Sequence, residues 1–281
     1  MLAHVNNTQL WYDTLGSGPP LMLLHGGPGL DHTEFRPWVE PLADHFTLIF
    51  VDERGTGRSE RVAPETATTA NMVEDIEALR QHLGYDRLAL LGFSFGGFLA
   101  LSYAAKYQAH LSHLLLVDTA PSNAFIPESE ELVRAFASPD IKEALDNEGS
   151  ITSDEEFRRV MEIEGPVYYK AWTSREQAMS ARMNRDMIFG FEVSTWWGNN
   201  EMAQYDMRPF LPQITVPTLV VVGRYDRITP VSQAEVMAQA IPGARLEIFE
   251  DSGHMTISEE QDRFNALVQE FLGTTERKHH A

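Results

Sequence analysis

The sequence of 281 residues contains no cysteine. This absence excludes disulfide bonds, a thiolate nucleophile and metal sites built on cysteine. It is compatible with a reducing compartment, and we expect a cytoplasmic protein because no basic segment followed by an apolar one opens the chain. No apolar run approaches the roughly 20 residues that a membrane-spanning helix needs, so a membrane is not expected as a partner.

Positive charge is also scarce. The chain has 22 lysine and arginine residues against 41 aspartate and glutamate residues, which gives a formal net charge of -19. A surface this acidic repels phosphate backbones, so nucleic acid is not an expected partner. Hydrophobic residues make up 43% of the chain, enough for one large domain or for a domain with an insertion.

Six short apolar runs, rich in leucine, valine and isoleucine, predict buried strands. Apolar residues follow one another almost without interruption in these runs, as is typical of parallel strands covered on both faces. The runs are Leu21–His25, Phe46–Asp52, Leu88–Phe93, Leu111–Asp118, Pro217–Gly223 and Arg245–Glu250.

Segments with a helical pattern separate these runs, most clearly at Thr69–Leu83, Gly97–Tyr107 and Val231–Ala240. Alternating strands and helices indicate an α/β fold with a mostly parallel, doubly wound sheet. The opening segment His4–Asp13, followed by the turn residues Gly16–Pro20, predicts an antiparallel hairpin at the edge of that sheet.

The alternation stops between residues 121 and 211, where the chain is polar, helical in character and rich in methionine and tryptophan. We predict that this segment is a helical cap inserted into a core domain of residues 1–120 and 212–281. Its position between two strands would let it cover the carboxyl edge of the sheet. The polar tail Glu276–Ala281 is expected to fray.

The segment Gly92-Phe-Ser-Phe-Gly96 lies between a predicted strand and a predicted helix, and Gly97 follows it. A Gly-x-Ser-x-Gly pattern in that context is typical of a nucleophile elbow, in which a sharp turn holds the serine above the sheet at the helix N-terminus. The pattern alone also fits a simple tight turn. The strand before it and the helix after it favour Ser94 as a nucleophile.

A serine nucleophile needs a base and an acid that orients the base. His254 fits the base, because it ends the polar loop Glu250–His254 directly after the last predicted strand. Two acids compete for the third position. Asp226 is favoured because its strand-end turn aims a carboxylate toward the histidine loop, whereas Asp118, at the end of another strand, would instead cap the turn into the insertion.

The reaction also needs hydrogen-bond donors for a developing oxyanion. The glycine-rich loop His25-Gly-Gly-Pro-Gly29 follows the first strongly apolar run, where this arrangement places such a loop. We predict that the amides of Gly27 and Phe95 form the oxyanion hole, that Gly26 contributes to substrate binding and that His25 braces the loop. Neither common phosphate-loop pattern occurs, and no cofactor and no metal are predicted.

Together these motifs resemble the α/β-hydrolase superfamily over about residues 3–120 and 212–273. The His-Gly-Gly-Pro-Gly form and the turn Asp52–Ser59 resemble, in particular, the proline iminopeptidase family of serine peptidases. The resemblance implies the α/β-hydrolase fold with a helical cap, a catalytic triad of Ser94, Asp226 and His254, and an oxyanion hole of Gly27 and Phe95.

Proline iminopeptidases carry a cap motif Trp-x-x-Trp-Glu, whose glutamate binds the free amino terminus of the substrate. Trp172–Glu176 matches this motif in part, but Arg175 replaces the second tryptophan and would compete with a substrate ammonium group. The resemblance implies that Trp172 and Glu176 bind substrate. The alternative is that Glu176 is a helix-surface charge paired with Arg175 or Arg182.

Other cap residues are further candidates for contact with substrate. The family has a second cap glutamate, for which Glu192 and Glu201 are the candidates. Trp196 and Trp197 are expected to line an apolar substrate pocket, although packing of the cap onto the core explains them equally well.

The sequence therefore predicts a serine hydrolase that cleaves a small-molecule or short-peptide substrate, an ester or an amide, through an acyl-enzyme. The resemblance favours an aminopeptidase that removes an N-terminal proline or another small residue. A carboxylesterase or lactonase is the alternative, and a non-catalytic ligand-binding homologue is a third hypothesis.

Overall fold

The computed structural model describes residues 1–147 and 150–273, and in this part of the chain eight strands form one sheet. In chain order the strands are β1 (Leu2–Val5), β2 (Thr8–Leu15), β3 (Pro20–Leu24), β4 (Thr47–Val51), β5 (Leu88–Phe93), β6 (Leu111–Val117), β7 (Thr218–Gly223) and β8 (Arg245–Phe249).

The strand order across the sheet is β1-β2-β4-β3-β5-β6-β7-β8. The six strands from β3 to β8 pair in parallel, whereas β1 and β2 form an antiparallel hairpin at one edge. The predicted parallel strands and the predicted edge hairpin are therefore confirmed. Each of the six predicted runs differs from its strand by at most one residue at either end.

Helices connect the parallel strands from β4 onward, and two more follow β8. They are α1 (Thr69–His82), α2 (Phe95–Tyr107), α3 (Ile126–Phe136), α4 (Pro139–Asn147), α5 (Asp154–Tyr168), α6 (Ser174–Asp186), α7 (Phe191–Asn200), α8 (Val231–Ala240), α9 (Thr256–Glu259) and α10 (Gln261–Phe271). Helices α3 to α7 all lie between β6 and β7, in the segment where the sequence predicts a helical insertion.

The sheet is buried on both faces because successive residues of a strand point to opposite sides. In β5, for example, Leu90 belongs to one apolar core and Leu91 to the other. The first core includes Leu79 of α1 and Leu99 of α2, and the second includes Phe264 of α10. Each of these side chains contributes about 1.5–3 kcal/mol by leaving water, so the continuous apolar runs stabilise a two-sided sheet.

Parallel pairing brings the carboxyl ends of the strands to one edge of the sheet. The glycine-rich loop follows β3, Ser94 follows β5, Asp118 follows β6, Asp226 follows β7 and His254 follows β8. The candidate catalytic residues therefore lie close together at this edge of the sheet.

Two further sequence predictions concern membrane-spanning helices and the C-terminal tail. Among the described helices, none has both the length and the apolar character that crossing a bilayer requires. The predicted fraying of the tail Glu276–Ala281 concerns residues outside those that the structure describes.

Candidate active site

Ser94 occupies a sharp turn between β5 and α2. Its backbone has φ 51° and ψ -117°, a conformation that few non-glycine residues adopt. Hydrogen bonds hold it there: the Ser94 N–H donates to the carbonyl of Val117 at 2.9 Å, and the Ser94 carbonyl accepts from Thr119 Oγ1 at 2.7 Å. The turn therefore fixes the direction of the serine side chain.

Close packing around this turn explains its glycines. A Cβ atom at Gly92 would overlap the carbonyl oxygen of Gly96, and a Cβ atom at Gly96 would overlap the carbonyl oxygen of Leu24. The strand and the helix can approach this closely only without side chains at these two positions. The Gly-x-Ser-x-Gly spacing is thus a steric requirement of the elbow.

His254 lies between Ser94 and Asp226. The Nε2 atom of His254 is 3.0 Å from Ser94 Oγ, and its Nδ1 atom is 2.8 Å from Asp226 Oδ2. An ionised carboxylate only accepts hydrogen bonds, so Nδ1 carries a proton and Nε2 is left to accept the serine hydroxyl hydrogen. His254 and Asp226 are buried, with 2% and 3% of their surface exposed, whereas Ser94 is partly exposed.

The Asp226 carboxylate is held by its own turn. Its Oδ1 atom accepts hydrogen bonds from the backbone amides of Ile228 at 2.8 Å and Thr229 at 2.9 Å, and Oδ2 accepts from Thr229 Oγ1 at 2.9 Å. These donors orient the carboxylate toward the imidazole and stabilise its negative charge.

The surroundings of His254 favour its cationic form. Burial by itself lowers the pKa of His254, but the charge of Asp226 and the hydrogen bond to it outweigh burial, and Asp118 and Glu34 add to the effect. The net result is a pKa above the ordinary value of 6.5. An imidazole of this kind accepts a proton from serine readily, because the imidazolium that forms is stabilised.

Asp118, the competing acid, makes different contacts. Its Oδ1 atom accepts from the Gly223 amide at 3.0 Å, and its Oδ2 atom accepts from the Thr256 amide at 3.2 Å and from Thr256 Oγ1 at 2.6 Å. Burial, together with the neighbouring charge of Asp226, raises the pKa of Asp118. Asp118 thus ties the end of β7 to the helix that follows His254, instead of capping the turn into the insertion.

The glycine-rich loop lines the same cavity as Ser94, through Gly27 and Pro28. Gly27 has φ +123°, which favours glycine, and it lines the cavity that contains Ser94 and His254. Phe95 is the first residue of α2, and the first amides of a helix have no partner within the helix. The amides of Gly27 and Phe95 remain the predicted oxyanion donors.

His25, the first residue of this loop, is buried. Its Nδ1 atom is 2.8 Å from the Gly26 carbonyl, and its Nε2 atom is 2.7 Å from Glu53 Oε2. Although burial alone lowers it, the charge of Glu53 and the hydrogen bond to it raise the pKa of His25 to about 10. A permanently charged imidazole suits a brace between the loop and the end of β4 and is unsuited to proton transfer at neutral pH.

A cavity of about 380 Å³ opens onto Ser94 and His254. Its wall comes from the core loops and from helices α5, α6 and α7, and it is largely apolar, with Phe157, Met161 and Trp197 among its lining residues. This volume and apolar character suit a small substrate.

Of the five residues predicted to bind substrate, the structure places one, Trp197, in the wall of this cavity. Trp197 is also part of the core, where its Nε1–H donates to Thr69 Oγ1 at 3.0 Å. Trp172 packs against Tyr169, and Trp196 packs against the first apolar core, so neither lines the cavity.

Gly26 also lies outside the cavity wall, because its amide is used inside the protein. It is fully buried, and its N–H donates to Glu34 Oε2 at 2.6 Å. The structure thus gives Gly26 a role in holding the glycine-rich loop, where the sequence predicts contact with substrate.

Glu176 lies outside the cavity wall as well and serves the helix that contains it. It forms a capping box at the start of α6, in which its carboxylate accepts hydrogen bonds from the Thr173 backbone and hydroxyl. It also pairs with Arg175 at 3.3 Å, which is one of the two ion pairs that the alternative interpretation names. The same local sequence that resembles the cap motif is thus a helix-start signal.

The two candidates for a second cap glutamate are also placed elsewhere. Neither Glu192 nor Glu201 lines the cavity. Glu201 accepts a hydrogen bond from the Thr69 amide at 3.0 Å, which ties the end of α7 to the start of α1.

Two acidic residues that the sequence does not single out do line the cavity. They are Glu34, on the 3-10 turn His32–Glu34, and Glu164, on α5, and they are only 6% and 2% exposed. Glu34 is five residues beyond the glycine-rich loop, but nothing in its neighbours signals burial. Glu164 lies in a polar helix where the sequence alone does not distinguish the inward face.

Among the described residues, Asp31, His32 and Asp52 are a group whose potential metal-binding atoms lie within 4.8 Å of one another. These atoms are already engaged with protein groups. His32 Nδ1 is 2.6 Å from Asp52 Oδ1, and Arg58 lies 3.3 Å from Asp31 Oδ2 and 3.8 Å from Asp52 Oδ2. The arginine supplies the positive charge that a metal ion would bring, so this group is explained as a charged network behind the loop.

Comparisons with known proteins bear on the whole assembly. A family model described as the α/β hydrolase fold matches residues 19–261. A proline iminopeptidase of Pestalotiopsis fici is 32% identical over 269 residues, which cover 92% of this chain and 94% of that protein. A proline iminopeptidase of Lactobacillus helveticus is 33% identical over 268 residues, with 90% of each chain covered.

The solved structures that resemble this chain include an esterase of Exiguobacterium antarcticum. It has a TM-score of 0.77 and 26% identity, and the match covers 97% of this chain and 99% of the esterase. These similarities confirm the predicted fold class and the predicted resemblance to proline iminopeptidases. They include relatives named proline iminopeptidase and a solved structure named esterase.

Proposed function

This chain belongs to the α/β-hydrolase family, and we propose that it is a serine hydrolase that cleaves a small amide or ester through an acyl-enzyme. One observation carries the proposal: the continuous contact from Ser94 Oγ to His254 Nε2 at 3.0 Å and from His254 Nδ1 to Asp226 Oδ2 at 2.8 Å, at the wall of a cavity. Serine is a weak nucleophile alone, and this arrangement supplies the base and the group that orients it.

The reaction follows from these positions. Ser94 Oγ attacks the substrate carbonyl carbon while its proton moves to His254 Nε2, and Asp226 stabilises the imidazolium. The amides of Gly27 and Phe95 donate to the oxyanion, and such a donor contributes roughly 10²- to 10³-fold to kcat. The imidazolium then protonates the leaving amine or alcohol as its bond to carbon breaks. Water, deprotonated by the same nitrogen, releases the acid from Ser94.

Within this class we propose an aminopeptidase that removes an N-terminal proline or another small residue. Two relatives named proline iminopeptidase are at least 32% identical to this chain over nearly its whole length, which supports this choice. Residues 121–211 would act as the cap, since helices α5 to α7 of that segment supply much of the cavity wall.

A carboxylesterase or lactonase is the second candidate, and a specific observation favours it. Glu176, the glutamate that the family resemblance assigns to the substrate amino terminus, forms a helix cap and is outside the cavity wall. An enzyme without an amine-binding group would cleave esters that have no free amine. The similar esterase of Exiguobacterium antarcticum is consistent with this alternative.

The two candidates are separated by a small set of substrates. Proline and alanine β-naphthylamides, their N-acetylated forms and p-nitrophenyl acetate are compared with the wild type and with Ser94→Ala. An aminopeptidase cleaves the free amides and leaves the N-acetylated amides intact. Turnover of the ester alone would instead assign the protein to the esterases. Equal rates for wild type and Ser94→Ala on all substrates would refute the serine mechanism.

A further inference from the structure

We propose that Glu34 binds the α-ammonium group of the substrate, beside the oxyanion loop. This inference rests on the proposed function and assigns the amine-binding role to a residue of the core domain instead of the cap. It follows from the charges of the cavity wall, from the position of the Glu34 carboxylate and from the contacts that occupy Glu176.

The wall of the cavity carries negative charge. Glu34 and Glu164 are its two carboxylate residues, and among the described lining residues there is no lysine or arginine. A cavity of this composition favours a cationic ligand and disfavours an anionic one.

The position of Glu34 fits an amine next to the reacting carbonyl. In an aminoacyl substrate the α-nitrogen lies about 2.5 Å from the carbonyl carbon, as follows from standard bond lengths and angles. The group that binds the nitrogen must therefore lie next to the nucleophile and the oxyanion donors. Glu34 Oε2 is 2.6 Å from the amide nitrogen of Gly26, the residue before Gly27, and Glu34 lines the same cavity as Ser94.

The Glu34 side chain is held in place before substrate binds. It ends the 3-10 turn His32–Glu34, whose N-cap Asp31 accepts hydrogen bonds from the Thr33 amide and hydroxyl. The hydrogen bond to Gly26 fixes one carboxylate oxygen. A preorganised carboxylate loses little conformational freedom on binding an ammonium group.

The electrostatics of Glu34 favour a cationic ligand beside its carboxylate. Burial raises the pKa of Glu34 to about 7, and the hydrogen bond from Gly26 and the nearby His25 and His254 offset burial only in part. An ammonium group at the carboxylate would supply the remaining compensation, because an opposite charge at close range favours the ionised form.

The remaining acids are less suitable. Glu176 is engaged by Thr173 and Arg175 at the start of α6, so its charge is already compensated. Glu164 also lines the cavity, from helix α5 of the insertion, whereas the carboxylate of Glu34 is bound to the oxyanion loop itself. Glu164 is therefore the competing assignment.

Two esters that differ only in the α-amino group test the proposal: the β-naphthyl esters of L-alanine and of propionic acid. Glu34→Gln keeps an acceptor for the Gly26 amide and removes the charge. At a pH above the acid limb of both proteins, we expect it to lower kcat/KM for the alanine ester by roughly 10- to 100-fold, mainly through KM, while kcat/KM for the propionate ester stays within about twofold. Glu176→Gln is the matched control and should leave the ratio of the two esters unchanged.

Three results would overturn the proposal. Equal losses on both esters in Glu34→Gln would mean that Glu34 only supports the loop. No loss on either ester would mean that its charge has no role in binding. A selective loss of the alanine ester in Glu164→Gln, without one in Glu34→Gln, would move the amine site to α5.

Failure of the proposed function gives a different pattern. If the wild type cleaves esters but no arylamide, the peptidase assignment fails while the ester pair still tests Glu34. If the wild type cleaves neither esters nor arylamides, titration calorimetry with Ser94→Ala compares the binding of L-alaninamide with that of propionamide. Tighter binding of L-alaninamide that Glu34→Gln abolishes would support the amine site without turnover, and equal binding of the two amides would refute it.

Discussion

The Oε2 atom of Glu259 lies 2.7 Å from the amide nitrogen of Gly253, the residue directly before His254. The other oxygen of the same carboxylate accepts a hydrogen bond from the Lys170 amide at 2.8 Å, and the His254 amide donates to the Tyr168 carbonyl at 2.6 Å. The loop that carries the histidine is therefore fastened to the end of α5 and to the connection between α5 and α6, so the insertion helps to position the proposed base, His254.

The two hydrogen bonds of Glu259, to the amides of Gly253 and Lys170, form a bridge between the histidine loop and the insertion. Loss of this bridge should lower both stability and activity. Glu259→Ala leaves two amides without their acceptor, at about 1–3 kcal/mol for each buried group. We expect the free energy of unfolding to fall by on the order of 2 kcal/mol and kcat for p-nitrophenyl acetate to fall about tenfold, because His254 loses its alignment. Urea unfolding and steady-state kinetics measure the two effects.

Glu250→Ala is the control for this bridge, since Glu250 forms an exposed ion pair with Arg224. Removing that pair should change the unfolding free energy by less than about 0.5 kcal/mol. If Glu259→Ala behaves like Glu250→Ala, the bridge does not position His254.

The two aspartates at the strand ends should respond differently to loss of charge. Asp226→Asn removes the acceptor that fixes the His254 tautomer, and we expect kcat to fall about 10³- to 10⁴-fold. Asp118→Asn disturbs the ties to Gly223 and Thr256, so it should lower the melting temperature and reduce kcat far less. The opposite pattern would make Asp118 the orienting acid.

The pH dependence of ester cleavage reports on His254. The base must be neutral to accept the serine proton, so activity falls as the pH falls through its pKa. Despite burial, which lowers it, the pKa of His254 is raised by Asp226 and, to a smaller extent, by Glu34. The acid limb of kcat/KM for p-nitrophenyl acetate is therefore expected above pH 6.5 and should move to lower pH in Glu34→Gln.

A limb at or below pH 6.5 in the wild type would contradict this account of the site's charge. A limb that stays in place in Glu34→Gln would show that the two groups are not electrostatically coupled.

Stability should also depend on Glu34 in a pH-dependent way. The folded pKa of about 7 exceeds the ordinary value of 4.5, so the folded state binds the proton more tightly. The stability linked to this group is complete below pH 4.5 and is lost as the pH rises through 7; at 1.36 kcal/mol per pKa unit the loss is roughly 3 kcal/mol. Glu34→Gln lacks this loss, so its melting temperature relative to wild type should be higher at pH 8 than at pH 5.

A pH-independent difference between the two proteins would mean that the Glu34 carboxyl titrates normally. Glu259, whose pKa burial also raises to about 7, is present in both proteins and cancels in the difference.

The strands could be predicted closely because their signal is local. The run from Leu88 to Phe93 is apolar throughout, and the pair Gly96-Gly97 comes two residues after it, so adjacent residues predict both β5 and the elbow. Ser94, Asp226 and His254 each follow such a strand, and parallel pairing brings strand ends together. These three positions could be predicted without knowing how the helices pack.

The cavity wall could not be predicted in the same way. Trp196 and Trp197 are adjacent on α7, yet one lines the cavity and the other packs elsewhere, because the face that a helix turns inward is set by tertiary packing. The segment Trp172–Glu176 matches a family motif in part, and Thr173–Glu176 within it also fits a helix-capping pattern; the structure shows the capping contacts. The burial of Glu34 depends on contacts with a loop that only the folded chain brings close.

Covalent labelling of Ser94 tests the central claim most directly. The wild type and Ser94→Ala are incubated with a fluorophosphonate probe, and intact mass and peptide mapping locate the adduct, while circular dichroism verifies that both proteins are folded. If Ser94 is the nucleophile, we expect one adduct on the wild type, at Ser94, and none on Ser94→Ala. A folded wild type that stays unlabelled, or equal labelling of both proteins, would contradict it.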